Sequence, residues 1–319
     1  MMNIIIIGGS GFIGTRLVDR LIKNKGLSVK ILDKTKSEKY PKLYQYCDIT
    51  EIDTLRNALS EDVDLVINLA AEHKDNVSPV SLYYDVNVEG QKHICTVMDE
   101  YKIKKMIFTS SVAVYGFVTA DTDESGEINP FNDYGKSKYQ AELVTHYWLD
   151  DTKQFSVIRP TVVFGEGNRG NVYNLLRQVA SSKFIMIGKG ENQKSMAYVE
   201  NVAAFLEHLI EHGQGHQVFN YIDKPDFNMN KLISVVNKAL GKTGSVLRLP
   251  YSLGLLAGYG FDLLAKLIGK ELPISSIRVK KFCARTQFKS RTDYLGFKPP
   301  CKLEEGLSNT VKNEFGNGK

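Results

Sequence analysis

The chain has 319 residues, 43% of them hydrophobic and 24% charged, a balance that supports a packed core and excludes a disordered or fibrous protein. Its net charge of +5 suits an anionic small molecule and is too weak to argue for nucleic acid. Cys47, Cys95, Cys283 and Cys301 show no metal-ligand spacing and read as free thiols of a reducing compartment, so a cytoplasmic protein is expected. The opening "MMNIIIIGGSG" does not read as a signal peptide, because its apolar run is short and meets a glycine turn at once.

In chain order, "NIIIIG" (3–8) is a continuous β-branched run, as expected of a strand buried on both faces of a parallel sheet. "GFIGTRLVDRLIKNKG" has helical spacing, with Leu17, Leu21 and Ile22 on one side. "LSVKILD" (27–33) is a second strand, "LYQYCD" (43–48) a third, "EIDTLRNAL" a short helix and "DLVINLAA" (64–71) a further buried strand. A long helix is expected over roughly 80–101, then the strand "KMIFTSS" (105–111), a helix beginning near "NDYGKSKYQAE" (132–142), and one strand in "FSVIRPTVVFG" (155–165). Alternating strands and helices predict an α/β doubly wound parallel sheet of Rossmann type. Regularity is lost from about 166, so residues 1–165 are expected to form the dinucleotide-binding domain and 166–319 mainly a smaller mixed α/β substrate lobe.

"LPYSLGLLAGYGFDLLAKLIG" (249–269) is interrupted by Gly, Asp and Lys, so no transmembrane helix is expected. It reads first as an amphipathic helix packed on its own lobe and second as a membrane-surface contact. The basic run "RVKKFCARTQFKSR" (278–291) reads as a solvated face, with phosphate attraction second. His208, His212 and His216 recur every four residues, yet Gly213 and Gly215 should end the helix before the third could join a metal site, and no metal is expected.

"GGSGFIG" places Gly8, Gly11 and Gly14 between the first strand and the first helix. Such glycines serve a tight turn, backbone approach to a pyrophosphate and close helix–strand packing, and the helix N-terminus behind them favours phosphate. Asp33 ends the second strand about twenty residues on, where a carboxylate can accept both ribose hydroxyls and would repel a 2′-phosphate. NAD is therefore favoured, while Lys34 and Lys36 keep NADP as the alternative.

Tyr134 and Lys138 share a helix face, which many surface helices also offer. What changes their reading is an ordered set of motifs: "GGSGFIG", "CDIT" (47–50), "INLAAEH" (67–73), "DVNVEG" (85–90), "TSSVAVYG" (109–116), "YGKSK" (134–138) and "RPTVVFGEGN" (159–168). With "KSMAYVENVAAFL" (194–206) and "YLGFKPPCKLEEGL" (294–307), they cover nearly the whole chain. The chain resembles the extended short-chain dehydrogenase/reductases, and within them the NAD-dependent sugar-nucleotide epimerase/dehydratase group.

The resemblance implies Tyr134 as catalytic acid/base, Lys138 as the group that bonds the nicotinamide ribose and lowers the tyrosine pKa, and Ser111 as the hydrogen-bonding partner of the reacting oxygen. It implies a cofactor site of Gly8, Gly11, Phe12, Ile13, Gly14, Asp33, Asp48, Ile49, Ala70, Ala71, Asn87, Tyr134, Lys138 and Pro160. It places Asn171 and Lys194 on the substrate's nucleotide and diphosphate. Lys194 stands where many relatives carry arginine and loses the bidentate fork; Asn201 stands where many carry aspartate. Dehydratases of the group follow the hydroxyl residue with Asp-Glu, whereas Val112 and Ala113 here cannot transfer a proton.

The expected reaction is 4-epimerisation of a nucleotide sugar, a UDP-linked one foremost, through a 4-keto intermediate. The alternatives are an NAD(P)H-dependent 4-ketoreductase for deoxysugar or surface-polysaccharide synthesis, a 3β-hydroxysteroid-type dehydrogenase, and a non-enzymatic NAD sensor. An intact acid/base set argues against the last. The resemblance also implies a homodimer.

Overall fold

A computed structural model describes residues 1–74, 77–118, 121–243, 246–269, 272 and 275–316. The first half alternates as the hydrophobic pattern requires: β1 (Met2–Ile7), α1 (Phe12–Leu21), β2 (Leu27–Asp33), β3 (Tyr44–Tyr46), α2 (Ile52–Arg56), β4 (Leu65–Asn68), α3 (Ser81–Tyr84), α4 (Gly90–Glu100), β5 (Lys105–Thr109), α5 (Asp133–Trp148) and β6 (Gln154–Pro160). The second half contains β7 (Val162–Phe164), α6 (Asn171–Ala180), β8 (Ile185–Ile187), β9 (Gln193–Tyr198), α7 (Val199–His212), β10 (His216–Tyr221), β11 (Asp223–Asn228), α8 (Met229–Ala239), β12 (Leu247–Leu249), α9 (Tyr251–Ile268), α10 (Ser276–Cys283) and α11 (Leu303–Phe315).

Seven strands form one sheet in the order β10-β6-β5-β4-β1-β2-β3. Every pairing in it is parallel. Parallel strands need crossovers, and the crossover helices cover both faces, which is why the central strands β1 and β4 carry continuous apolar runs, Ile4–Ile7 and Leu65–Ile67, rather than alternating. In β1, Ile5 and Ile7 enter the core on one face while Ile4 and Ile6 enter the core on the other. The order reverses between β1 and β4, the switch point where open α/β sheets leave a crevice at the carboxyl ends of their strands.

Two expected elements are subdivided. The helix expected over 80–101 carries a π-helical turn, Asp85–Glu89, between α3 and α4. The strand expected at 155–165 is two strands: β6 ends at Pro160 in the large sheet, and β7 pairs instead with β9 in a three-stranded sheet. Proline lacks the N–H that would continue the ladder, and Thr161 anchors the crossing by giving its N–H to Tyr221 and its hydroxyl to the Ser195 carbonyl.

The chain weaves between its sheets. α7 packs on α1, and β10 returns to the edge of the large sheet beside β6. A separate core of Phe164, Leu176, Met196, Tyr198, Phe227, Leu232 and Leu307 lies under the smaller sheet, and Phe12 of α1 packs partly against it.

Candidate active site

The candidate residues come from separate loops yet stand at one end of the sheet. Gly8 follows β1, Asp33 closes β2, Asp48 and Ile49 follow β3, Ala70 and Ala71 follow β4, Ser111 follows β5, and Pro160 closes β6. Parallel pairing in register makes all of these carboxyl ends.

In the glycine turn, Gly8 has φ +78°, and a Cβ there would lie 2.7 Å from the Ala70 nitrogen. A Cβ on Gly14 would lie 2.5 Å from the Gly8 carbonyl oxygen and 2.6 Å from the Gly9 Cα. Both neighbours are backbone, so a Gly14→Ala variant has to displace α1 from β1. A loss of about 1–3 kcal/mol in stability is expected, the usual cost of overpacking, together with weaker dinucleotide binding. Thermal unfolding and an NAD titration on the same sample check both. Gly11 differs, since its Cβ would meet only the Gly8 oxygen, at 3.2 Å.

α1 has neither a side-chain N-cap nor an acidic residue in its first turn, so its leading amides, those of Phe12 and Ile13 among them, suit an anion. The Ser10 hydroxyl in the same turn is buried without a hydrogen-bond partner. Asp33 reaches the turn as well: its carboxylate accepts the Ser10 N–H at 3.1 Å and the Thr35 N–H at 2.8 Å. Among the described residues, neither Lys34 nor Lys36 makes an ion pair. Spare amides, a spare hydroxyl and a carboxylate at the second strand end fit a dinucleotide.

Tyr134 and Lys138 lie in the first turns of α5, which Asn132 caps by accepting the Gly135 N–H at 2.9 Å. Tyr134 is half-buried, its ring 6.2 Å from that of Tyr83. Burial pushes the phenol pKa up, a hydrogen bond with Ser111 draws it down, and Tyr83 adds a small upward push. The net direction in the unliganded chain is upward, and within the chain alone Lys138 is not what sets the phenol's value; the lowering expected of the pair draws also on the charge of a bound nicotinamide.

Lys138 explains why. It is 1% exposed, its ammonium lies 4.3 Å over the Phe108 ring, and it has no hydrogen-bond partner. Burial lowers its pKa to about 7, against a smaller upward pull from Glu142. A fully buried ammonium with three unused donors is costly. A ribose diol offering two oxygens would satisfy it.

Ser111 has extended backbone and accepts the Ala113 N–H at 3.1 Å, opening the short turn Val112–Tyr115. Sequence reasoning missed the hydroxyls of Thr109 and Ser110, both buried and unpartnered beside it; the signal was their place in "TSS" at a strand end.

The remaining candidates divide by what they touch. Asn87, in the π-helical turn, is 3% exposed and clamps the site: it accepts the Glu72 N–H, donates to the Glu72 carbonyl, and donates to Ser137 at 2.9 Å. Asp48 accepts from both the N–H and the hydroxyl of Thr50, and Ile49 packs beneath Gly90. His73 is exposed and faces the Ala71 carbonyl. Asn171 is exposed at the start of α6. Lys194 donates to the Lys281 carbonyl and to Thr286, and burial lowers its pKa to about 8. Asn201 exchanges two hydrogen bonds with the Cys301 backbone, so it fastens the C-terminal segment.

A cavity of about 480 Å³ in the smaller lobe was not foreseen; Lys189, Tyr251, Lys280, Cys283 and Arg285 are among its lining residues, and neither Asn171 nor Lys194 is. Among the described residues, no three His, Cys, Asp or Glu side chains are grouped to hold a metal ion. His216 begins β10 and stacks on Phe155.

Strand order, glycine turn and a Tyr-Lys pair at the carboxyl ends define a dinucleotide-binding oxidoreductase-type fold. Residues 4–221 match the family described as NAD dependent epimerase/dehydratase, and the chain belongs to that family. It is 48% identical, over 99% of its length and 96% of the relative's, to an N-acetyl-alpha-D-glucosaminyl-diphospho-ditrans,octacis-undecaprenol 4-epimerase of Escherichia coli O157:H7. It is 26% identical to a UDP-glucose 4-epimerase of Vibrio cholerae, over 97% of this chain and 94% of the other. Its fold matches the crystal structure of a UDP-glucose 4-epimerase with UDP-glucose from Thermotoga maritima with a TM-score of 0.77, 98% coverage of both chains and 23% identity.

Proposed function

We propose that the protein is a 4-epimerase of a diphosphate-linked N-acetylhexosamine carried on a polyprenol, working through a 4-keto intermediate. The observation that carries the chemistry is the buried, partnerless ammonium of Lys138 one helical turn from Tyr134 at the start of α5, with Ser111 at the end of the neighbouring strand β5. Identity of 48% along nearly the whole chain to an enzyme named for a polyprenol-diphosphate sugar supports that carrier over the UDP expected from sequence.

When bound, NAD supplies a reversible two-electron acceptor for the hydrogen on C4. The chain supplies the proton chemistry. Ser111 holds the C4 oxygen, and Tyr134 takes the hydroxyl proton as the ketone forms and returns it as the alcohol re-forms. Lys138 stabilises the phenolate that burial alone disfavours. Val112 and Ala113, next to Ser111, have no proton to give, so loss of water from the sugar is not supported. A homodimer through the outer faces of α4 and α5 belongs to the same reading.

Two assays test it. Incubation with N-acetylglucosaminyl-diphospho-polyprenol, and separately with UDP-N-acetylglucosamine, should give the C4 epimer from the first substrate with the higher kcat/KM. Denaturing the purified protein should release stoichiometric NAD, because an epimerase keeps its cofactor through both transfers. A protein that releases none and consumes NADH or NADPH would instead be the 4-ketoreductase.

Asp33 decides between the dinucleotides in this reading. An Asp33→Ser variant removes the carboxylate that would face a 2′-phosphate while Lys34 and Lys36 remain. The NADP-to-NAD affinity ratio should rise at least ~10-fold, measured by titrating each nucleotide into the stripped protein.

A further inference from the structure

α9 is mounted with its apolar side outward. Leu253, Leu256, Leu263, Leu264 and Leu267 fall within about 100° of one another around the helix and so share one face, and all are exposed, Leu267 to 76%. Asp262 falls on the opposite side, where its carboxylate accepts the Ser276 N–H of α10. The helix meets the protein through a seam of small residues: a Cβ on Gly254 would strike Ile187, and one on Gly258 would strike the backbone of Ser276. Only those two glycines of its 18 residues are buried. A helix packed on its own lobe turns its large apolar residues inward; here the glycines face inward.

We infer that this leucine face is a docking surface for an anionic lipid bilayer, an inference that rests on the polyprenol-carrier reading for its purpose. Three observations fit that occupant. Exposed cations border the apolar face: Lys266 on α9 itself and Lys280 on α10. The Lys280 ammonium lies 5.2 Å over the Tyr259 ring, at the edge of the leucine face. Apolar residues bordered by lysines match the boundary between acyl chains and anionic headgroups. Further, Tyr251 and Lys280 belong to the lining of the smaller lobe's cavity, and Ile187 both lines it and supports Gly254. The diphosphate end of a polyprenol carrier held there would leave its hydrocarbon tail beside the leucine face. By length and composition α9 could also cross a membrane, but Asp262 and the glycine seam tie it to α10 and the smaller lobe, which favours lying in the interface.

Flotation with vesicles of phosphatidylcholine, alone or with 30 mol% phosphatidylglycerol, tests this without any sugar lipid present. Wild-type protein should float with the anionic vesicles, less so at 0.5 M NaCl, and should be released by alkaline carbonate. The double variant Leu256→Glu/Leu263→Glu should lose at least ~10-fold in vesicle binding. It should retain wild-type turnover of a water-soluble, short-chain prenyl-diphospho-N-acetylglucosamine, which also shows that it is folded. Equal binding by the variant, or no binding by wild type, overturns the inference. So does resistance to carbonate, which would mean a spanning helix. So does a wild-type dimer that the double variant converts to monomer without vesicle binding, which would make the face a contact between copies. Vesicle binding by a protein that turns over only UDP-linked sugar would leave the docking surface standing and overturn the carrier reading instead.

Discussion

Replacing Tyr134 with phenylalanine is expected to lower kcat for 4-epimerisation by about 10²–10⁴-fold, the range that one positioned acid/base group supplies, with KM and NAD content little changed. Phenylalanine keeps the ring contact with Tyr83 and removes only the hydroxyl. The fold should therefore survive, and a binding module without chemistry would not register the change. The pH profile adds a second readout. Burial holds the phenol of the unliganded chain above its ordinary value, so at neutral pH it is poised as the acid. To serve as the base it must be brought down by Lys138 and the charge of a bound nicotinamide. Wild-type kcat should then rise through a basic limb that the Tyr134→Phe variant lacks. A residual rate within threefold of wild type, with the limb intact, would remove Tyr134 from the proton path.

The parts of the site legible in sequence are those in which one short segment carries its own geometry. "NIIIIGGSGFIG" states a buried strand, a turn that excludes side chains and a helix N-terminus in twelve consecutive residues, and the structure places Gly8 and Gly14 against backbone accordingly. Tyr134, Lys138 and the Asn132 cap likewise belong to one helix start. What escaped was set by distant partners. Nothing near Lys138 in sequence shows that its ammonium ends over Phe108, thirty residues away in another strand. The break at Thr161 depends on Tyr221 and Ser195, and the π-helical turn on what Asn87 must reach.

α9 illustrates a different limit. Periodicity reveals that a helix has an apolar face but not what that face meets. The helix does pack on its own lobe, but through Gly254 and Gly258, which leaves the leucines outside. The same small-residue seam that lets α9 approach α10 closely also determines which side remains free. Sequence and structure agree on where the helix is; its orientation is a tertiary fact.

Lys138→Met should have an effect of opposite sign on stability and activity. The folded chain holds this lysine near pKa 7, against an ordinary value of 10.5, because it is buried with no partner. Between those values the unfolded chain binds a proton that the folded chain does not, so the stability of the wild type rises with pH across the window. Below pH 7 both states are protonated and the burial cost is present in full. On the scale of 1.36 kcal/mol per unit that cost is on the order of 5 kcal/mol. Methionine fills the space over Phe108 without it. Melts of the nucleotide-stripped proteins at pH 6, 8 and 10 should show the variant more stable at pH 6 by ~5 °C or more, with the gap closing toward pH 10. Saturating NAD should narrow the gap at pH 6, because only the wild type gains ribose partners for its ammonium. Activity should fall about 10²-fold or more, since nothing then offsets the burial of the Tyr134 phenolate. Equal melting temperatures at pH 6 would mean that the ammonium finds partners in the free chain. A stable, inactive variant would show that Lys138 serves activity at a cost in folding stability, a cost bound dinucleotide relieves.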